Sequence, residues 1–185
     1  NFATTGGTPN WSAAPFGGRG IDYVAGDFFE ATVPEINGPF AMSCWTKGAN
    51  TADFAGIIGS QSSIVAYTTR TGSGFEFAMY TDDDNIHSVN ITNVFDNTWH
   101  HVVALYTGAA IRGYRDGNFI ATAAASGGIG AFGAAFTSFR SAKSNGNNFD
   151  DLVADIRLWA ANPLATSDPD AFARQCFDQS RQGSP

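Results

Sequence analysis

Short runs that alternate apolar and polar residues, each closed by Gly, Asn, Asp or Pro, recur along this sequence, and that pattern commits the chain to β-strands. In Phe40-Ala41-Met42-Ser43-Cys44-Trp45-Thr46, the residues Phe40, Met42 and Cys44 share one face. Phe75, Phe77 and Met79 do the same in the run that ends at Tyr80. The turn Asp82-Asp83-Asp84-Asn85 separates that run from 86–91 and predicts a hairpin. Further strands are predicted at 64–69, 99–106, 111–115, 118–121, 136–141 and 151–159. Asp116-Gly117 sits between two of these runs, where a two-residue primed turn needs positive φ. Residues 126–135 read as a Gly/Ala-rich connection. Strands at this spacing build an antiparallel sandwich.

One helix is predicted, over about 167–182. Ser167 is its expected cap, Pro169 falls in the first turn, and Asp170 lies three residues beyond the cap. Phe172 and Cys176, four apart, share a face. Gly183 and Pro185 are the expected stop.

Composition narrows the partners. The 185 residues include 16 Phe and 21 Gly, and 43% are hydrophobic, which suits a packed core of short strands and tight turns. The formal net charge is −7, and ten Lys and Arg are scattered along the chain. That balance argues against nucleic acid and against anionic membrane surfaces. No apolar run approaches the roughly 18 residues of a membrane helix. Fourteen Asp stand against three Glu, a bias towards turns and loop ends. Two cysteines, Cys44 and Cys176, allow one bridge at most, and spacing alone leaves their pairing open. Cys44 lies within an apolar strand, where a thiol packs as a small hydrophobe. The chain opens on Asn1 rather than Met, so an upstream segment is expected.

Five motifs in order then point to a family. They are the stretch from Gly20 to Glu30, Gly38-Pro39-Phe40 with the strand after it, Asn97-Thr98-Trp99-His100-His101-Val102-Val103, Tyr114-Arg115-Asp116-Gly117, and Phe149-Asp150-Asp151 running on to Trp159. Together they resemble the laminin-G-like jelly rolls of the concanavalin-A-like lectin and glucanase superfamily, over about residues 19–160. The resemblance implies a two-sheet antiparallel jelly-roll sandwich in one domain. The family's usual opening strand has no counterpart upstream of Asn1-Phe2-Ala3-Thr4-Thr5, so an unpaired sheet edge is expected there. Residues 177–185, from Phe177 through Gln179-Ser180-Arg181 to Pro185, resemble the tail of laminin-G-like proteins encoded by bacteriophages and prophages. This second likeness implies a virion surface protein, a capsid decoration or fibre-type adhesion module. Other virion proteins are its expected partners, and homo-oligomerisation is expected too.

The residues that could carry chemistry are few. Glycosidase carboxylates lie about 5–9.5 Å apart, whereas Asp151 and Asp155, placed on one face of an extended strand, would stand roughly 13 Å apart. No G-X-S-X-G elbow occurs, and Gly127-Gly128-Ile129-Gly130 is not followed by the Lys-Ser/Thr of a phosphate loop. Adjacent strand residues face opposite ways, so His100 and His101 cannot chelate one metal together. A non-enzymatic protein is therefore the expectation. Calcium is the one cofactor to consider, because it takes hard oxygen ligands. Asp82 and Asp84 in the acidic turn are one candidate set, with Asp22 and Asp27 as a rival. For a surface glycan, aromatic platforms combine with amides. Tyr67 and Tyr80 with Asn145, Asn147 and Asn148 are the leading candidates, and Trp11 and Trp159 are further platforms. Trp45 and Trp99 fall inside motif strands and read as structural. The alternative to a virion protein is thus a calcium-assisted carbohydrate-binding module of a secreted or cell-surface protein.

Overall fold

The computed structural model describes residues 3–6, 10–23, 28–49, 55–60, 66–83, 85–130, 136–141, 143–144 and 147–182. In chain order the strands begin with β1 (Ala3–Gly6), β2 (Asn10–Ala13), β3 (Arg19–Asp22), β4 (Phe28–Ile36), β5 (Phe40–Lys47) and β6 (Gly56–Gly59). They continue with β7 (Ala66–Thr71), β8 (Gly74–Tyr80), β9 (Ile86–Ile91), β10 (His100–Tyr106), β11 (Ala110–Arg115) and β12 (Asn118–Ala124). The last are β13 (Phe136–Ser141), β14 (Lys143–Ser144), β15 (Asn147–Asn148) and β16 (Leu152–Ala160), followed by helices α1 (Pro163–Ser167) and α2 (Pro169–Arg181).

Two sheets face each other. One runs β1-β4-β13-β6-β7-β8-β9, with β14 and β15 attached beside β6; the other runs β12-β11-β10-β5-β16-β3-β2. Among the described residues the strand pairings are antiparallel apart from one parallel bridge, Asn148 with Gly56. This is the antiparallel sandwich the alternation predicts and the two-sheet jelly roll the resemblance implies. The β1 strand pairs with β4 and forms the edge of the first sheet, so Ala3–Gly6 occupies the place beside β4. Among the described residues no helix is long and apolar enough to cross a membrane.

The inner layer follows directly from the period of two. Phe40, Met42 and Cys44 of β5 pair with Tyr106, Ala104 and Val102 of β10. All six point at Phe75, Phe77, Met79, Val89 and Ile91 of the opposite sheet within one buried cluster. Phe40 meets Phe77 edge-on at 5.8 Å between ring centroids. At Gly113 the sheets lie so near that a Cβ would stand 2.5 Å from Ile91 Cγ1. The Asp116-Gly117 turn adopts the predicted primed geometry, with φ of 52° and 76°.

The alternation predicts one apolar face for β5, yet both faces are buried. Helix α2 is the cause, since it lies across the outer face of the second sheet. There Ala41, Val103, Leu105 and Tyr114 pack on Ala165, Phe172, Ala173 and Cys176. Phe172 and Cys176 are on the packed face, as their spacing requires. The cap, however, is Asp168 rather than Ser167. Its carboxylate accepts from Ala171 N–H at 3.0 Å, which puts Pro169 in the first turn with no amide lost. Cys44 and Cys176 are free thiols on opposite sides of the second sheet, and burial pushes both well above the ordinary thiol range, Cys176 to about 12.

Strand β16 departs from simple alternation. Ala154 stands opposite Trp45 and Arg157 opposite Ser43, so three steps on β16 match two on β5. The extra residue makes a bulge, with Asp155 at φ 48°. Face assignments that run straight through 151–159 are therefore reset at the bulge, including the shared face of Asp151 and Asp155.

Candidate functional site

The sequence-derived candidates fall in separate places. Asp82 turns onto the 127–128 backbone, where its carboxylate accepts from Gly128 N–H at 3.1 Å. Asp83 turns the other way, accepting from the Thr81 hydroxyl and from Asn85 Nδ2 at 2.6 Å. Those hydrogen bonds, Thr81 first, hold its pKa down at about 2. Asp22 accepts from Ser12 Oγ at 3.4 Å. Asp84, Asp27 and Asn145 lie outside the described residues. Among the described residues no three His, Cys, Asp or Glu side chains group as metal ligands. Tyr67 is on β7 opposite Ala78, and Tyr80 ends β8. Asn147 and Asn148 form β15, next to β6. Of the two further platforms, Trp159 packs edge-on against Phe172 beneath the helix, at 5.3 Å, whereas Trp11 is 59% exposed.

The two histidines do face opposite ways, and their environments differ sharply. His100 Nδ1 is 2.7 Å from Asp116 Oδ2, and its Nε2 is 3.2 Å from Asp96 Oδ1. Asp116 Oδ1 also accepts from His101 N–H at 2.9 Å. The imidazole thus fastens the 96–98 turn to the β11–β12 hairpin. His101 is almost fully buried, and neither ring nitrogen has a hydrogen-bond partner. Its ring lies 5.3 Å from Trp45 and 5.9 Å from Phe177. Desolvation, only partly offset by Asp155 and Asp116, lowers its pKa to about 4. Phe177 also covers Gly117, where a Cβ would meet its ring at 3.3 Å. Two residues of the tail motif therefore have structural work here: Phe177 in this cluster, and Ser180, whose Oγ donates to Phe177 O at 2.7 Å.

A two-lobed depression opens at the β2 edge of the second sheet. One lobe, roughly 320 Å³, is lined by Pro15, Phe16, Gly18, Trp45 and Ser180. The other, roughly 270 Å³, is lined by Trp11, Ile21, Tyr23, Phe29 and Ile156. Arg19, Ala154 and Asp155 belong to both lobes and form the wall between them. Two backbone irregularities build this shape. The 3-10 turn Pro15–Gly17 carries Phe16 at φ 58°, and the β16 bulge carries Asp155 at φ 48°. Left-handed conformations cost a non-glycine residue energy and gather at functional surfaces. Asp155 Oδ1 accepts from Arg157 Nε at 2.8 Å, which fixes the carboxylate. Phe16 is half exposed, and its ring stands 5.4 Å from Trp45. Exposed aromatic faces beside fixed polar groups, in a concave setting, are the ingredients of a small-ligand site. The depression draws in Trp11 but not Tyr80, which ends β8 in the other sheet. Phe16 and Arg19 were not singled out by sequence reasoning, and Asp155 entered it only as half of a carboxylate pair too far apart for glycosidase chemistry; Pro15 ahead of Gly17-Gly18 is the one local signal of a turn there.

A family described as the concanavalin A-like lectin/glucanases superfamily, of laminin-G type, matches residues 20–165, and the chain belongs to it. A search of curated proteins finds no match. Among solved structures, the binding domain of Paraclostridial Mosquitocidal Protein 1 superposes with a TM-score of 0.74 at 10% identity, covering 97% of this chain and 47% of that one. The binding domain of botulinum neurotoxin DC in complex with SialylT gives 0.71 at 12% identity, covering 97% and 46%. A structure of botulinum neurotoxin type C, whose cell entry is dependent upon interaction with two ganglioside molecules, gives 0.69 at 11%, again covering 97% and 46%. This chain spans just under half of each. The shared property is the fold.

Proposed function

We propose that this domain is a non-catalytic, saccharide-binding module presented at a virion surface. The observation that carries the binding half is the β2-edge depression, with exposed Trp11 and Phe16 flanking Arg19 and Asp155. An indole face stacks on the C–H face of a sugar, and fixed charged groups accept and donate to its hydroxyls. Membership of a lectin-bearing superfamily and the toxin binding domains' use of the same fold support this reading, although fold alone does not assign function. The virion half rests on the resemblance of residues 177–185 to phage-encoded tails.

A glycan array probed with the purified domain, with and without a chelator, tests the binding half. Selective signals are expected, and signals abolished by the chelator would assign calcium a role. Silence in both conditions overturns the reading. Co-sedimentation with purified capsids, paired with light scattering for oligomeric state, tests the virion half. A monomer that stays off capsids overturns it.

A further inference from the structure

We infer that the β2-edge depression selects saccharides bearing carboxylates, with Arg19 as the residue that reads the acid and Trp11 as the stacking platform. This deepens the saccharide-binding reading and rests on it.

The argument is one of local charge. The chain as a whole carries a formal net charge of −7, so an acidic ligand is repelled by most of its surface. The depression is an exception. Asp155, the acid in its wall, is neutralised by Arg157 at 2.8 Å. Arg19, which lines both lobes, has no ion-pair partner among the described residues. Arg181, also without one there, lies over the Phe16 ring at 5.6 Å, beside the first lobe. Asp178 lies on the outer flank shared by Phe16 and Arg181. Two guanidiniums that no carboxylate among the described residues engages therefore flank exposed aromatic groups. A planar guanidinium binds a carboxylate through two parallel hydrogen bonds, so an unengaged one beside a stacking face is suited to an acidic sugar. The lobes lie at or just below the lower end of the volume range for small-molecule sites. Because one wall serves both, a chain of at least two sugar residues would place an acid at Arg19 while its neighbour stacks on Trp11.

The test uses the full chain and a panel of uronate oligosaccharides based on galacturonate, glucuronate and mannuronate, each paired with its methyl ester, alongside neutral glycans. Binding is read by titration calorimetry at two salt concentrations. The acids are expected to bind at least ten-fold more tightly than their esters, with the difference shrinking at high salt. Arg19→Gln is expected to erase the preference for acid over ester. Trp11→Ala is expected to weaken both at least ten-fold. Both side chains are exposed, so the variants should keep the wild-type melting temperature. If neutral glycans bind but the acids show no advantage, or if binding survives both variants unchanged, the inference falls and the lectin reading stands. If nothing binds anywhere in the panel or the array, both fall together.

Discussion

The two sides of the second sheet are built to different standards. Its inner side packs aromatic and aliphatic groups of both sheets against one another, and even the Tyr106 hydroxyl finds an acceptor, Gly127 O at 2.7 Å. Its outer side, under α2, is also buried, but it encloses Ser43 Oγ, Trp45 Nε1 and both nitrogens of His101 with no hydrogen-bond partner. Each such group forgoes the hydrogen bonds it makes to water in the unfolded chain. The inner layer should therefore set the stability of the domain, and the outer layer should set its sensitivity to conditions.

The largest expected effect tests the first half of that contrast. Phe77→Ala removes a fully buried ring between the sheets and should cost about 3–5 kcal/mol, read by urea unfolding. A loss comparable to that of an exposed site would break the comparison. The next effect tests the second half. Unfolded, His101 takes up a proton near pH 6.5, but in the folded domain only near pH 4. The unfolded state thus holds more protons between those values, so stability is full above about pH 6.5 and falls as pH drops towards 4, by about 3 kcal/mol from this group. His101→Phe should flatten that part of the stability–pH curve, and an unchanged slope would show that another group supplies it.

Two smaller effects sharpen the contrast. Gly113→Ala forces a methyl against Ile91 and should cost about 1–3 kcal/mol, because neither sheet can retreat without opening the inner layer. Asp168→Ala removes the α2 cap and should cost about 1 kcal/mol. Hydrogen exchange should show that loss in α2 before the strands. Uniform deprotection across both sheets would mean that the two layers are one cooperative unit.

Much of this architecture was legible in advance. Phe40, Met42 and Cys44 declare an inner face because strand periodicity is local, and Asp116-Gly117 declares its hairpin because few other dipeptides tolerate positive φ twice. The helix announced its buried face through Phe172 and Cys176. The fate of the outer β5 face was hidden, since Ala41, Ser43 and Trp45 give no sign that a helix more than a hundred residues away will cover them. The candidate site was hidden for a related reason. It depends on a bulge at Asp155 and a turn at Phe16 that bring β2, β3 and β16 together, and no period in the sequence encodes an inserted residue. Trp11 could be named as a platform by its type, but its neighbours could not.

The way α2 is held has a mechanical consequence. Its last turns are gripped by Phe177, seated against Trp45 and His101, and by Arg181, which lies over the Phe177 ring at 5.3 Å. A pull applied beyond Arg181 would load these ring contacts one at a time, whereas the seven-pair ladder between β5 and β10 would share the same load along its length. Under tension the helix would peel away first, leaving the sandwich closed and laying bare the outer face of β5.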